Sequence, residues 1–387
     1  MRNLTIVLVL FILSSCSVSY KQLHKKAILV DTHNDIPSAS IEKKVTFDTD
    51  LKGKTHSDLQ RMKDGGVDVQ FFSIFCGPEQ AKPFDYANRE MDSVDAWINR
   101  NPYKMMAVKN IADLNKAINE NKIASLMGVE GGHMIEDDIK KLEHFYNRGA
   151  RYLTLTWNNS TSWATSAADE TTLGSTLQHK GLSELGKQIV RRMNELGMMI
   201  DVSHIGEQTF KDALAITTKP VIASHSNVYA LCPHRRNLKD DQILAIAKNG
   251  GVIQLNFYAG FVDSNYEKNM SNFLAKYKPE IDSLIKENVQ KDYARMMVTQ
   301  KHYEESKAFQ PPLNMLLNHL DYIVKLVGVD YVGFGSDFDG ISAAPIELVG
   351  VESYPLITKA LLERGYSKAD IKKMLGGNLI RVLKAQQ

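Results

Sequence analysis

The amino-acid sequence predicts a (β/α)8 barrel, which is a closed ring of eight parallel strands surrounded by helices. Three observations support this fold class. Short β-rich runs alternate with helical segments along the chain, a pattern typical of a parallel sheet. Most runs are continuously apolar, as expected for strands covered on both faces. They number about eight, which favours a closed barrel over an open sheet.

The predicted elements follow one another in regular order. The eight strands are predicted at residues 27–32, 67–75, 122–129, 151–156, 198–202, 220–224, 251–256 and 330–335. Helices are predicted between them at residues 86–100, 111–121, 136–148, 182–196, 207–216 and 239–248. The long polar segment at about 259–310 interrupts the alternation and predicts a helical insertion after the seventh strand. No G-x-G-x-x-G motif follows the first strand, so the fingerprint of a dinucleotide-binding sheet is missing.

The composition is that of a globular protein with a large core. The chain has 387 residues, of which 43% are hydrophobic and 24% are charged. Its 47 basic and 45 acidic residues give a net charge of +2, and no block of like charge stands out. Nothing in this charge pattern favours binding to nucleic acid.

The first residues predict an export signal. A short positive start precedes an apolar run of about ten residues, too short to span a bilayer. The motif "LSSC" at residues 13–16 resembles a bacterial lipobox, in which Cys16 is lipidated and becomes the new N-terminus. The alternative is an ordinary signal peptide cleaved near Ser14 or Ser15. We expect a signal at 1–15, a polar tether at 16–26 and one domain at 27–387, with the exported protein lipid-anchored to a bacterial cell-envelope membrane.

Acidic and histidine side chains stand where five of the predicted strands end. Because the carboxyl ends of barrel strands meet at one mouth, these side chains should converge. A single histidine at a strand end is more often structural, but five coincident strand ends predict a metal site. Histidine with carboxylate suits transition metals, and this many ligands suits two ions sharing one carboxylate. The residues are His33, Asp35, Glu130, His204, His225, Asp337 and Asp339.

The order of the motifs resembles that of the renal (membrane) dipeptidase family of zinc metallopeptidases. The shared motifs are "VDTHNDIP", "GVEGGH", "YLTLT", "IDVSH", "SHS" followed by "RRN", "NFY" and "GFGSDFDG", covering the chain from about Ala27 to Leu383. The resemblance implies a barrel that binds two zinc ions. It implies that His33 and Asp35 hold one ion, that His204 and His225 hold the other, and that Glu130 bridges them.

The resemblance also implies an activity. Family members hydrolyse dipeptides, often including those with a D-residue at the C-terminal position, by attack of a hydroxide held between the metals. Arg236 would bind the substrate carboxylate, and its planar fork suits that group. Asp337 would contact the free amine or handle the proton. Glu130 and Asp337 are therefore the expected catalytic residues.

One residue departs from the family pattern. After "LTLT" the family usually has a histidine that contacts substrate, whereas this chain has Trp157, which cannot carry a proton or a positive charge. This leaves two alternatives to the dipeptidase. One is a related amide or lactam hydrolase, such as a deacylase of D-amino-acid conjugates, and the other is an anchored binding lipoprotein with weakened catalysis. The sequence leaves open a homodimer and a pairing of Cys76 with Cys232.

Overall fold

A ring of parallel strands forms the centre of the molecule. The computed structural model describes residues 19–287 and 291–387. Within them, eight strands pair in the order β1-β2-β4-β5-β6-β7-β8-β9, and the short β3 pairs with β4 beside the ring. The strands are β1 Leu29–Asn34, β2 Val67–Ile74, β3 Met105–Ala107, β4 Ile123–Glu130, β5 Ala150–Thr154, β6 Met199–Asp201, β7 Ile222–Ala223, β8 Val252–Leu255 and β9 Val332–Phe334.

The ring closes where β1 meets β9. The backbone N–H of Asp35 donates to the Phe338 carbonyl at 2.8 Å, and the N–H of Asp337 donates to the His33 carbonyl at 3.0 Å. Each predicted strand overlaps one strand of the ring, so the predicted (β/α)8 fold is confirmed. The sequence analysis missed β3, whose three residues are too few to show a pattern.

Helices surround the ring and follow most strands. They are α1 Tyr20–Lys26, α2 Ile36–Glu42, α3 Leu59–Asp64, α4 Pro83–Arg100, α5 Ile111–Asn119, α6 Ile139–Arg148, α7 Ala167–Thr172, α8 Glu184–Leu196, α9 Glu207–Ile216, α10 Asp240–Lys248, α11 Ala259–Val262, α12 Tyr266–Lys276, α13 Lys278–Lys286, α14 Lys291–Lys301, α15 Tyr303–Lys307, α16 Leu313–Val327, α17 Tyr354–Glu363, α18 Lys368–Lys372 and α19 Asn378–Lys384. All six predicted helices are present, with ends within three residues of the prediction. The barrel therefore presents one face with all strand carboxyl ends.

Two apolar layers hold the barrel together. Alternate strand side chains, including Val69, Phe71 and Leu126, pack inside the ring with Leu379 and Val382 of α19. A larger cluster fills the space between the ring and the outer helices. Burying one valine, leucine or phenylalanine side chain contributes about 1.5–3 kcal/mol to the stability of the fold. The inner cluster forms a packed floor beneath the carboxyl ends of the strands.

The predicted insertion lies between β8, which is the seventh strand of the ring, and α16. It consists of α11 to α15, and Ile281, Ala294 and Val298 form a small core of its own. In the described part of the chain, none of the helices has the length and apolar character needed to cross a bilayer.

The folded domain begins earlier than the predicted start at residue 27. Residues 20–26, assigned to the polar tether, form α1, in which Leu23 and His24 are buried. The His24 ring bonds to the Thr358 hydroxyl at 2.7 Å and to the Gly65 carbonyl at 2.8 Å. The predicted signal and Cys16 lie outside the described residues.

Candidate metal centre

The strand ends bring the predicted ligands around one carboxylate. Glu130 is the last residue of β4, and its Oε1 lies 2.9 Å from His204 Nε2 and 3.5 Å from His225 Nε2. Its Oε2 lies 3.3 Å from His33 Nε2, which is also 3.5 Å from Asp35 Oδ2. Glu130 therefore stands between one pair of ligands, His33 and Asp35, and a second pair, His204 and His225.

The other nitrogen of each imidazole is held by a neutral oxygen. His33 Nδ1 lies 2.9 Å from the Tyr152 hydroxyl, and His204 Nδ1 lies 3.2 Å from Asn158 Oδ1. His225 Nδ1 lies 2.7 Å from the Ser224 hydroxyl, which donates its own proton to Asp201 Oδ2 at 2.6 Å. With these oxygens accepting from Nδ1–H, each imidazole in its neutral form carries its lone pair on Nε2, the arrangement found in metal-binding histidines.

The Nε2 atoms of the three imidazoles converge on one region. The Nε2 atoms of His204 and His225 are 3.0 Å apart, and two lone pairs at that distance repel each other. His33 Nε2 and both Asp35 oxygens are buried and have no hydrogen-bond partner among the described residues. The potential ligand atoms of His33, Glu130 and His225 lie within 4.8 Å of one another, as do those of His33, Asp35 and Asp337. The donor set fits metal cations.

Protonation also favours metal binding. Burial, aided by the Arg236 charge, lowers the pKa of His204 to about 3. Burial, aided by the positive charge of His33, also holds the pKa of His225 well below its usual range. Burial alone would raise the pKa of Glu130, but the three surrounding imidazoles hold it well below its usual range. At neutral pH His204 and His225 therefore present neutral nitrogens to an ionised carboxylate. Burial would lower the pKa of His33, but Tyr152, Glu130 and Asp35 raise it well above its usual range, so a cation that binds at His33 Nε2 would displace a proton.

The backbone adopts uncommon conformations around the site. His204, Asp337 and Asp339 have φ values of 66°, 61° and 70°, in the left-handed region that non-glycine residues rarely occupy. At Gly340, a Cβ atom would lie 2.3 Å from Asp35 Oδ2, so a side chain there would displace that oxygen. The turn after β9 thus needs glycine at 340 to leave room for Asp35.

A cavity of about 420 Å³ opens above these groups. Arg236 lines it, although only 4% of this residue is exposed. Its guanidinium contacts the Ser226 hydroxyl at 3.4 Å and the His225 carbonyl at 3.2 Å, and no carboxylate among the described residues pairs with it. Burial lowers the pKa of Arg236 to about 10, so it stays charged at neutral pH. The cavity therefore contains a buried cation without a counter-ion.

The comparison with known families identifies the chain. Residues 18–387 match the family described as "Membrane dipeptidase (Peptidase family M19)". The chain belongs to this family. It is 32% identical to an uncharacterized dipeptidase of Schizosaccharomyces pombe, over 94% of this chain and 82% of that protein.

Solved structures share the barrel. The probable dipeptidase PvdM from Pseudomonas aeruginosa matches with a TM-score of 0.77 and 25% identity, over 95% of this chain and 97% of that one. A metallo peptidase from Rhodobacter sphaeroides, solved with a phosphinate mimic of the dipeptide L-Ala-D-Ala, has a TM-score of 0.74 at 24% identity. That match covers 93% of this chain and 99% of the Rhodobacter chain, and supports the fold. The prediction of a metal-dependent dipeptidase is confirmed at the level of the family.

The remaining predicted site residues also face the cavity. Asp337 lines it and accepts a hydrogen bond from the Asn256 amide at 2.8 Å. Burial, with the charge of Asp35, raises the pKa of Asp337 well above its usual range. Trp157 lines the cavity wall, with its ring 4.9 Å from the Phe75 ring and 6.2 Å from the His204 ring. The roles of these residues stay predictions.

Two buried aspartates lie behind the site. Asp201 Oδ2 accepts from the Ser224 hydroxyl, whose oxygen contacts His225 Nδ1. Asp31 bonds to the His33 backbone N–H at 3.2 Å instead of to the ring. Cys76 and Cys232 are both free and buried, so they do not pair.

The sequence analysis missed Tyr152 and Ser224. Ser224 had one available signal, since it directly precedes His225 in "SHS". Tyr152 stands first in the shared motif "YLTLT", but a tyrosine in an apolar strand is ordinarily a core residue, so the motif did not indicate its contact with His33.

Proposed function

We propose that this protein is a dinuclear zinc dipeptidase that hydrolyses L-Xaa-L-Xaa and L-Xaa-D-Xaa dipeptides. The observation that carries the proposal is the position of Glu130. One of its oxygens faces His33 and the other faces His204 and His225, at distances of 2.9–3.5 Å. A carboxylate between two groups of nitrogen and oxygen ligands suits two cations that share it.

The proposed ligands are His33 and Asp35 for one ion, His204 and His225 for the other, and Glu130 for both. Two zinc ions bound there would acidify a water molecule and polarise the carbonyl group of the scissile amide. Glu130 would stay ionised and fix the position of both ligand groups.

Arg236 and Asp337 would recognise the two ends of a zwitterion. The Arg236 guanidinium faces the cavity without a counter-ion, so it can bind the substrate's terminal carboxylate in a water-excluded setting. Asp337 lies near Asp35, on the opposite group of ligands. It can accept a hydrogen bond from the substrate ammonium or pass a proton to the leaving nitrogen. Its raised pKa favours the proton-carrying role, because the carboxyl group holds a proton at higher pH than usual.

A second candidate rests on Trp157. The indole lines the cavity where relatives usually carry a histidine, so the pocket has a different shape and one titratable group fewer. This favours a related amide substrate, such as an N-acylated D-amino acid. A binding lipoprotein that holds metal without turnover is the third possibility.

A substrate panel, run with and without chelator, separates these possibilities. We expect chelator-sensitive hydrolysis of L,L- and L,D-dipeptides, together with two zinc ions per chain by elemental analysis. Hydrolysis of N-acylated substrates alone would favour the deacylase. Two bound ions without hydrolysis of any substrate would favour the binding protein.

We further propose that the protein is exported and held at a cell-envelope membrane by a lipid on Cys16. Cys16→Ser should move the protein from the detergent phase to the aqueous phase without changing its specific activity, because Cys16 precedes α1 and is not among the predicted site residues. The Cys76→Ser variant is a matched control, since this buried thiol lies within the barrel. Unchanged partitioning of the Cys16 variant would refute the anchor.

A further inference from the structure

A tyrosine at the centre of the barrel touches the predicted metal ligand His33. Tyr152 belongs to β5 and is fully buried. Its hydroxyl oxygen lies 2.9 Å from His33 Nδ1 and 3.1 Å from the Thr32 carbonyl oxygen. The phenol therefore crosses the barrel interior to reach β1.

These two contacts determine where the protons lie. A carbonyl oxygen cannot donate, so the single hydroxyl proton of Tyr152 must point to Thr32. The hydroxyl oxygen is then left as an acceptor, and His33 Nδ1 must carry the proton that it receives. In a neutral imidazole this fixes the lone pair on Nε2. Nε2 is the nitrogen that lies 3.3 Å from Glu130 and 3.5 Å from Asp35.

We propose that Tyr152 is a positioning residue that fixes the His33 tautomer and ring orientation, so that Nε2 is ready to bind a metal ion. The inference rests on the proposed dinuclear site and goes beyond its ligands. It also assigns a different partner to each histidine. His204 uses an amide and His225 uses a serine hydroxyl bonded to Asp201, so loss of the phenol should affect only the ion held by His33 and Asp35.

The neighbours of Tyr152 show how the ring is held. Gly128 lies opposite it on β4, and a Cβ atom there would lie 1.9 Å from the Tyr152 Cζ atom. The other wall is Phe71, whose ring stacks on the phenol at 5.6 Å. The absence of a side chain at Gly128 therefore makes the space through which the phenol reaches His33.

The test is a zinc titration of the full-length protein against a competing chelator. Tyr152→Phe keeps the ring in contact with Phe71 and removes only the hydroxyl group. We expect one of the two zinc affinities to fall by about 10- to 100-fold, the usual cost of losing the partner of a ligating histidine. The second affinity should fall by much less, because the partners of His204 and His225, Asn158 and Ser224, are untouched. Cobalt(II) substitution adds a spectroscopic readout, in which the visible absorption of one site alone should change.

Two controls separate positioning from general loss of structure. Tyr366→Phe removes a hydroxyl that bonds to Asp321 at 2.7 Å on the outside of the barrel, and should leave both affinities unchanged. In a His33→Ala background, Tyr152→Phe should cost no further zinc affinity, because the ligand it positions is gone. A structural defect would instead add to the effect of His33→Ala.

The zinc titration tests the role of Tyr152 and the presence of the dinuclear site separately. Two affinities within about twofold of wild type in Tyr152→Phe, or an equal loss at both sites, overturns the inference while leaving the proposed dipeptidase standing. Failure of the wild-type protein to bind two ions refutes the dinuclear site itself, and the inference with it.

Discussion

Replacing Arg236 by methionine should weaken catalysis and stabilise the fold at the same time. Arg236 is buried, and among the described residues its Nε atom has no partner and its guanidinium makes two long polar contacts, at 3.2 and 3.4 Å. A buried charge without a counter-ion opposes folding, and methionine fills a similar volume without charge. If the guanidinium binds the substrate carboxylate, the same change removes half of an ion pair.

The two effects can be sized separately. Burial lowers the pKa of Arg236 to about 10, which corresponds to roughly 3 kcal/mol of disfavoured charge. After allowing for the lost contacts with Ser226 and His225, we expect a net gain of about 1–2 kcal/mol and a Tm higher by about 1–3 °C. Losing one partner of a buried charge pair costs about 2–5 kcal/mol, so kcat/KM should fall by roughly 30- to 5000-fold.

The assay combines calorimetry with kinetics on a dipeptide and on its C-terminal amide. The amide lacks the carboxylate, so the kcat/KM of the wild-type protein should be much lower on the amide than on the dipeptide. The kcat/KM of Arg236→Met should be similar on both substrates. Arg235→Met is the matched control, because its side chain is exposed and its loss changes the net charge equally. A lower Tm together with unchanged discrimination between the two substrates would show that Arg236 is a structural residue.

Three further results are expected. Glu130→Gln should weaken the binding of both metal ions and abolish hydrolysis, because a neutral amide is a poor bridging ligand between two dications. Two tightly bound zinc ions with a near-normal kcat in this variant would contradict the prediction. Trp157→His should raise kcat on simple dipeptides by about 10-fold by placing a charged donor beside the developing oxyanion, whereas a fall in kcat/KM on every dipeptide with metals bound would make the indole a specificity element. Burial lowers the pKa of His319 to about 4, so the unfolded chain binds more protons than the folded one between about pH 6.5 and 4, and stability falls as the pH falls through that window. His319→Gln should reduce this pH-dependent loss of unfolding free energy by about 2–3 kcal/mol, as measured in acid denaturation curves. An unchanged dependence of stability on pH would refute the role given to His319.

The sequence predicts the ring and the residues at its mouth for a physical reason. Strands buried on both faces must be apolar, so a polar cluster such as His33 and Asp35 at a strand end stands out. The rule that parallel strands share one active face then brings distant clusters together. The hydrogen bonds that hold these residues from behind are harder to predict from the sequence. Whether Tyr152 turns towards β1 depends on the strand register and on the space left by Gly128, which no local pattern encodes.

Short elements were missed for a different reason. Helix α1 has seven residues and is rich in lysine, so it carries almost no periodic apolar signal. Its docking depends on His24, whose partners Gly65 and Thr358 lie 41 and 334 residues away in the chain. Tertiary contacts of this kind decide whether a short polar segment folds.

The docking of α1 has a consequence for the direction from which substrate arrives. His24 is bonded to Gly65, two residues before β2 begins, so α1 lies beside the amino ends of the strands. Tyr20 is the fourth residue after Cys16, and even a fully extended chain over that interval spans only about 14 Å. A lipid on Cys16 would therefore hold the floor of the barrel close to the bilayer and turn the mouth outwards. With the proposed lipid on Cys16, the mouth of the barrel would thus meet small peptides in the aqueous compartment and face away from lipid-linked molecules in the same membrane.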